Sequence, residues 1–234
     1  MKKIIIGINI IVLIISSIFL IDYLVGSKNN KDTYKEISQL YDEEKTNEES
    51  DYDNKIQKLK TVNRDIVAWI DIPEVLQYPI VQAQDNIYYL DQDIHGNSAA
   101  HGSIFMDYRN DVLKDENIII YGHYMRDGTM FGNLKKYKRE DYFKDNQYIY
   151  LDIGEKTNKY KIFSAYITEG NTDYLKNSFL SKDEFLSYIE KANEKSLFKE
   201  EHKFSGQDRL ITLSTCTYEY KNARMVIHGY LVLE

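Results

Sequence analysis

The chain has 234 residues, enough for one domain of ordinary size with some additional segments and too few for two large ones. Apolar residues make up 43% and aromatics 13%, which supplies a packed core, while 11 Gly and 2 Pro set aside collagen-like and low-complexity chains. A formal net charge of −7 argues against a nucleic-acid binder, which needs a cationic face, and a single Cys excludes an intramolecular disulfide.

Lys2 and Lys3 precede an uncharged apolar run from Ile4 to Ile21. At about 1.5 Å per residue this run comes close to crossing a bilayer core of about 30 Å, and Tyr23 to Val25 extend it. No A-x-A-like cleavage site follows, so residues 1–26 are expected to stay as a transmembrane anchor. The two lysines place the N-terminus in the cytoplasm and the remainder outside the cell. Residues 27–53, crowded with Asp42, Glu43, Glu44, Glu48, Glu49, Asp51 and Asp53, read as a charged, solvated extracellular spacer, and residues 54–234 as the catalytic domain. Ile56, Leu59, Val62, Ile66 and Trp69 recur at three- and four-residue spacing, which predicts an amphipathic helix over Tyr52 to Trp69 leading into that domain.

Short apolar or alternating runs then follow between polar turns: residues 66–70, 78–81, 103–106, 117–121, 148–153, 160–168, 209–214 and 224–231. Their length and their β-branched and aromatic content predict eight strands, hence a barrel or sandwich. Ser181 and Glu184 have capping-box spacing ahead of Phe185, Ile189 and Ala192, so a helix is expected from Ser181 to about Lys195, before the strand that carries the Cys.

Cys216 follows the alternating run Leu210 to Leu213 at the point where Ser214, Thr215 and Thr217 turn the sequence small and polar. A thiol at a strand end joins a rigid support to an opening onto solvent, although a lone Cys is more often a small buried hydrophobe. His123 follows the apolar strand Asn117 to Tyr121 and Gly122, so it too stands at a strand exit, where it suits proton transfer for a thiol nucleophile. Arg224 opens the next strand after a short connection that returns the chain antiparallel, which puts its fork of N–H donors near the Cys. No CxxC or HExxH spacing occurs and the five His are scattered, so neither a metal nor a cofactor is expected.

Three stretches, Asn117 to His123, Thr212 to Tyr220 and Ala223 to Gly229, resemble in that order the His, Cys and Arg motifs of class B sortases. Tyr78 to Gln82 and Gly102 to Arg109 are also similar to that family, and the resemblance covers about Ile66 to Leu233. It implies a mainly β fold, an eight-stranded sortase-type barrel with an N-terminal helix and one inserted helix. It also implies a membrane-anchored cysteine transpeptidase on the surface of a Gram-positive bacterium. Cys216 would be the nucleophile, His123 the proton carrier and Arg224 the oxyanion stabiliser, with Tyr121, Ser214 and Thr215 binding substrate. The donors would be secreted proteins with a C-terminal sorting signal cut after Thr. The acceptor would be an amine of a peptidoglycan precursor or of a pilin. Glu219 stands too far after Cys216 to be assigned as an acidic orienter of His123, and His228, alternating on a strand, is expected to be structural. Two alternatives are a cysteine hydrolase, in which water resolves the same thioester, and a non-catalytic membrane-anchored binding module.

Overall fold

The computed structural model describes residues 2–42, 52–154, 156–170, 173–200 and 202–233. Most of the acidic cluster, residues 43–51, lies outside the described residues. The chain divides into two compact units, Met1–Glu36 and Ile37–Glu234.

The first unit is the greater part of helix α1 (Lys2–Asp42), as far as Glu36. Its most apolar stretch has a mean hydropathy of 3.0 and none of it is buried. From Ile4 to Val25 the large apolar side chains are exposed, while the hydroxyl of Ser17 donates to the Leu13 carbonyl at 2.8 Å. A helix that satisfies its own backbone polar groups and turns a mainly hydrocarbon surface outward is compatible with a bilayer.

The second unit begins at Ile37, ahead of the boundary at residue 54 that the sequence suggests. The reason lies in the helix period: α1 continues to Asp42, and Ile37 and Tyr41, four residues apart, share a face that is buried. The Tyr41 ring stacks on Trp69 with centroids 4.3 Å apart, and its hydroxyl donates to Asp152 at 2.6 Å. The expected helix over Tyr52 to Trp69 is corrected. Helix α2 (Tyr52–Leu59) ends at Leu59, because Asn63 Oδ1 accepts from the Asp65 amide at 2.8 Å and turns the chain. Ile66 and Trp69 belong instead to strand β1 (Ile66–Ile72), whose alternate residues Ile66, Ala68, Ile70 and Ile72 are buried with period two.

Strands β2 (Leu76–Val81), β3 (Phe105–Met106), β4 (Asn117–Tyr121), β5 (Tyr148–Asp152), β6 (Thr157–Glu169), β7 (Leu210–Cys216) and β8 (Ala223–Leu231) complete the eight. They close into a barrel in the order β1-β2-β3-β4-β7-β8-β6-β5, the architecture expected from the strand count. Two neighbouring pairs, β2 with β3 and β4 with β7, run parallel, and the other pairs are antiparallel. The strand expected over residues 103–106 shortens to two residues.

Helix α3 (Glu140–Asp145) and the 3₁₀ segments Tyr88–Leu90 and Gly132–Lys138 have no counterpart among the expected elements. Helix α4 (Lys182–Lys195) buries Phe185, Ile189 and Ala192 in a cluster with Phe163, Tyr166, Val226 and Tyr230. Its cap differs from a reciprocal box. Ser181 accepts from the Glu184 amide at 3.2 Å, but the Glu184 carboxylate accepts from the Leu180 amide, one residue further out, and pairs with Lys176. Beneath α4 lies His228, fully buried as a structural residue. Thr212 Oγ1 donates to Asn117 Oδ1 at 2.7 Å, so its 2.8 Å contact with His228 requires the proton on Nδ1, and Nε2 accepts from the Tyr166 hydroxyl at 2.9 Å. Burial, reinforced by the Lys195 charge, depresses the imidazole to about 3.

Candidate active site

Two strand registers bring the expected residues to one rim of the barrel. In the parallel β4–β7 ladder Tyr121 lies opposite Ser214, and the Gly122 amide prolongs the ladder by donating to the Ser214 carbonyl at 3.3 Å. His123 and Cys216 each stand two residues beyond that pair, at the same ends of two parallel strands. In the antiparallel β7–β8 ladder Cys216 is the direct partner of Arg224. Side-chain alternation puts Ser214 and Cys216 on one face of β7, with Thr215 on the other.

Gly122 serves close packing rather than an unusual backbone angle. A Cβ at that position would lie 2.4 Å from Ile104 Cδ1 and 2.9 Å from Phe131 Cγ, so any side chain would push the β4 exit away from the rim. Half-buried His123 places Nε2 2.6 Å from the Leu90 carbonyl oxygen, which only accepts, so this nitrogen carries the proton and Nδ1 is left for proton exchange. The Cys216 thiol is exposed. Arg224 donates from Nη1 to the Ala223 carbonyl at 3.1 Å and packs against Gly170, where a Cβ would lie 3.0 Å from the guanidinium carbon. Among the described residues no carboxylate pairs with Arg224, so its remaining N–H groups are not committed to a counter-ion.

His123, Cys216 and Arg224 line a single open cavity of about 280 Å³, together with Tyr121, Ser214 and Thr215. All six residues singled out in the sequence therefore meet. Ser214 Oγ and the Tyr174 hydroxyl are 3.0 Å apart and buried, and Tyr188 holds that segment by donating to the Tyr174 carbonyl at 2.8 Å. Among the described residues the Thr215 hydroxyl is buried without a hydrogen-bond partner. Tyr121 donates to Asp107 at 2.8 Å, and burial next to that carboxylate raises its phenol well above the usual range. For Asp107 burial pushes the other way from its hydrogen bonds, and the bonds from Arg109, Tyr121 and Asn86 win, holding the carboxyl below its ordinary value.

Glu219 is not an orienter of His123: it pairs with Lys138 and accepts from the Thr217 hydroxyl at 2.5 Å, which ties the β7–β8 connection to the 3₁₀ segment ending at Lys138. The cavity also draws on Asn86, Leu90, Gly170, Tyr174 and Leu175, none of which the sequence singles out. They lie outside the strands, where no hydrophobic period reports on position. Asn86 and Leu90 are visible only as part of a polar and aromatic loop, and Tyr174 only as one of 21 tyrosines.

The arrangement combines an exposed thiol, an imidazole with one nitrogen fixed, and uncommitted guanidinium donors, the parts required for acyl transfer through a thioester. A family model for the sortase domain matches residues 70–232. The chain is similar to sortase B of Listeria monocytogenes, with 36% identity over 215 residues, 89% of this chain and 87% of that protein. Among solved structures it is similar to the Staphylococcus aureus sortase B–substrate complex, with a TM-score of 0.84 and 27% identity over 89% of this chain and 98% of that one. It is also similar to sortase B from Bacillus anthracis, with a TM-score of 0.81 and 38% identity over 90% of this chain and all of that one.

Proposed function

The chain belongs to the sortase family, in its class B, whose members are cysteine transpeptidases acting on sorting signals, and from that premise we propose the donor, the acceptor and the residue roles. It cleaves a C-terminal sorting signal of secreted proteins after Thr and transfers the acyl group to an amine of the cell wall or of a pilin. The observation that supports this most is the convergence of Cys216, His123 and Arg224 on one cavity through two independent strand registers.

In the first half-reaction the Cys216 thiol gives its proton to His123 Nδ1 and its sulfur attacks the Thr carbonyl carbon, the carbonyl π pair moves onto oxygen, and the oxyanion is held by Arg224 N–H groups. The C–N bond then breaks and the leaving amine takes a proton from His123 Nδ1, leaving an acyl thioester. In the second half the acceptor amine attacks the thioester, gives a proton to His123, and expels the Cys216 thiolate. Dividing amide exchange in this way lowers each barrier, because a thiolate is both a good nucleophile and a good leaving group. Tyr121, Ser214 and Thr215 form the wall against which the peptide lies.

The N-terminal helix anchors the enzyme, with Lys2 and Lys3 on the cytoplasmic side and the catalytic unit outside. The test is mass spectrometry of products from a library of C-terminal signal peptides, with and without added amines. A new amide to the added amine supports transpeptidation. Cleaved acid alone, unaffected by amine, would leave a hydrolase, and no change in any peptide would sink the reading.

A further inference from the structure

Two stretches singled out in the sequence, Tyr78 to Gln82 and Gly102 to Arg109, meet behind the cavity. Gln82 Nε2 donates to the backbone carbonyls of Asp107 and Asn110, both at 2.8 Å, which fixes the turn after β3. Asp107 is fully buried and does not line the cavity, yet its carboxylate is bonded on every side. Oδ1 accepts from the Arg109 amide at 3.0 Å and from Arg109 Nε at 2.8 Å. Oδ2 accepts from Arg109 Nη2 at 2.7 Å, from Asn86 Nδ2 at 2.9 Å and from the Tyr121 hydroxyl at 2.8 Å. The same Arg109 Nη2 reaches the Leu175 carbonyl at 3.3 Å, and Asn86 Oδ1 accepts from the Tyr108 amide at 2.9 Å, so the Asn86 side chain is held at both ends.

Asn86, Tyr121 and Leu175 come from three separate segments, and each lines the cavity that holds Cys216. A buried carboxylate is an expensive way to stabilise a fold, since an apolar residue of similar size often serves as well or better. The backbone around Asp107 is already secured without the carboxylate, by the Asp107 amide on the Ile119 carbonyl at 2.9 Å and by Gln82. What the carboxylate adds is a common anchor for the cavity walls.

We infer that Asp107, with Arg109, is a positioning residue for peptide binding: one buried carboxylate sets the mutual placement of Asn86, Tyr121 and the Leu175 segment around the donor peptide. This rests on the reading of the cavity as the acyl-donor site. A positioning residue of this kind acts on ground-state and transition-state binding alike, because it touches neither the thiol, the imidazole nor the guanidinium that carry the chemistry.

The test is single-turnover thioester formation by the full chain in detergent, using a C-terminal signal peptide that the unaltered enzyme accepts, with Asp107→Asn and Arg109→Lys. Asp107→Asn keeps the shape and removes the charge; Arg109→Lys keeps the charge and removes the fork that joins Asp107 to Leu175. The half-saturating peptide concentration should rise about tenfold in both, with the maximal acylation rate changed by no more than about threefold. If Asp107→Asn does not fold, Arg109→Lys, whose parent side chain is 40% exposed, decides the matter by the same split. Half-saturation at the unaltered concentration in every folded variant, with or without a lower melting temperature, would overturn the inference alone. Failure of the unaltered chain to form a thioester with any peptide would overturn the reading of the site, and the inference with it.

Discussion

Cys216 and Arg224 are direct partners across the β7–β8 ladder, so the distance between thiol and guanidinium is set by backbone pairing rather than by a flexible loop. Placement of this kind is what oxyanion stabilisation requires, because donors must already be aimed when charge develops.

Arg224→Lys tests that directly. Lysine keeps the charge but replaces a planar fork with one mobile ammonium. The acylation rate should fall by about 10² to 10³, or roughly 3 to 4 kcal/mol, with little change in melting temperature. A rate within about threefold of the parent, about 0.7 kcal/mol, would make Arg224 structural and move the donor to backbone amides.

Gly170→Ala should act on Arg224 from a distance. The new Cβ would sit 2.8 Å from Asn222 Oδ1 and 3.0 Å from Arg224 Cζ, so the guanidinium must shift. If Arg224 holds the oxyanion as proposed, its displacement by a fraction of an ångström predicts a loss of about 10- to 100-fold in acylation. Stopped-flow measurement beside Arg224→Lys checks it: the double variant should lose little more than Arg224→Lys alone, and full additivity would show that Gly170 works through something else.

Cys216→Ala should abolish thioester formation and leave thermal unfolding nearly unchanged, because an exposed thiol contributes little buried area. Intact-protein mass spectrometry after incubation with peptide provides the readout. Residual acylation at a comparable rate would mean that the nucleophile lies elsewhere.

His228 predicts an acid-sensitive fold. Its folded value of about 3 lies below the ordinary 6.5, so the unfolded chain binds a proton that the folded chain refuses. The stabilisation is fully present above pH 6.5 and declines as pH falls toward 3, at up to about 1.4 kcal/mol per pH unit. Unfolding free energies from urea titrations at pH 7.5 and pH 5 should differ by an amount on the order of 2 kcal/mol from this residue. His228→Asn should be less stable at neutral pH but show a flatter pH dependence; an unchanged slope would rule His228 out as the cause.

Removal of residues 1–26 should yield a soluble, folded and active protein, since the exposed apolar side chains of Ile4 to Val25 contribute nothing to the barrel core. Far-ultraviolet circular dichroism and peptide acylation check this. Because Ile37 and Tyr41 are part of the compact unit, truncation beyond residue 41 should be costly, removing the Tyr41–Trp69 stack and the Asp152 hydrogen bond.

The sequence made the local features legible and left the non-local ones dark. β-branched runs of the right length mark each strand, and the Cys216–Arg224 pairing follows from a short connection between two adjacent strands. His123 is different. Its approach to Cys216 depends on the parallel pairing of Asn117 with Leu210, which no local pattern encodes, so the residues suggested the couple but could not place it in space. Ile66 and Trp69 misled because a three-residue spacing fits a helix, while the period-two set Ile66, Ala68, Ile70 and Ile72 in the same stretch reports the strand. Asp107 stood within a recognised stretch, but nothing in a sequence shows that one carboxylate accepts from Asn86, Arg109 and Tyr121 at once.

The parallel β4–β7 pairing also orders events in time. Asn117 cannot meet Leu210 until β5, β6 and α4 have been laid down between them, so the histidine and the thiol come within reach only as the barrel closes. Such long-range closure is slow compared with helix or hairpin formation. A chain emerging through a membrane in extended form would therefore carry an isolated, unactivated thiol throughout its passage, and competence would appear together with the last tertiary contacts. In refolding experiments peptide acylation should lag behind the recovery of strand signal, whereas alkylation of the bare thiol by a small reagent should need no such delay.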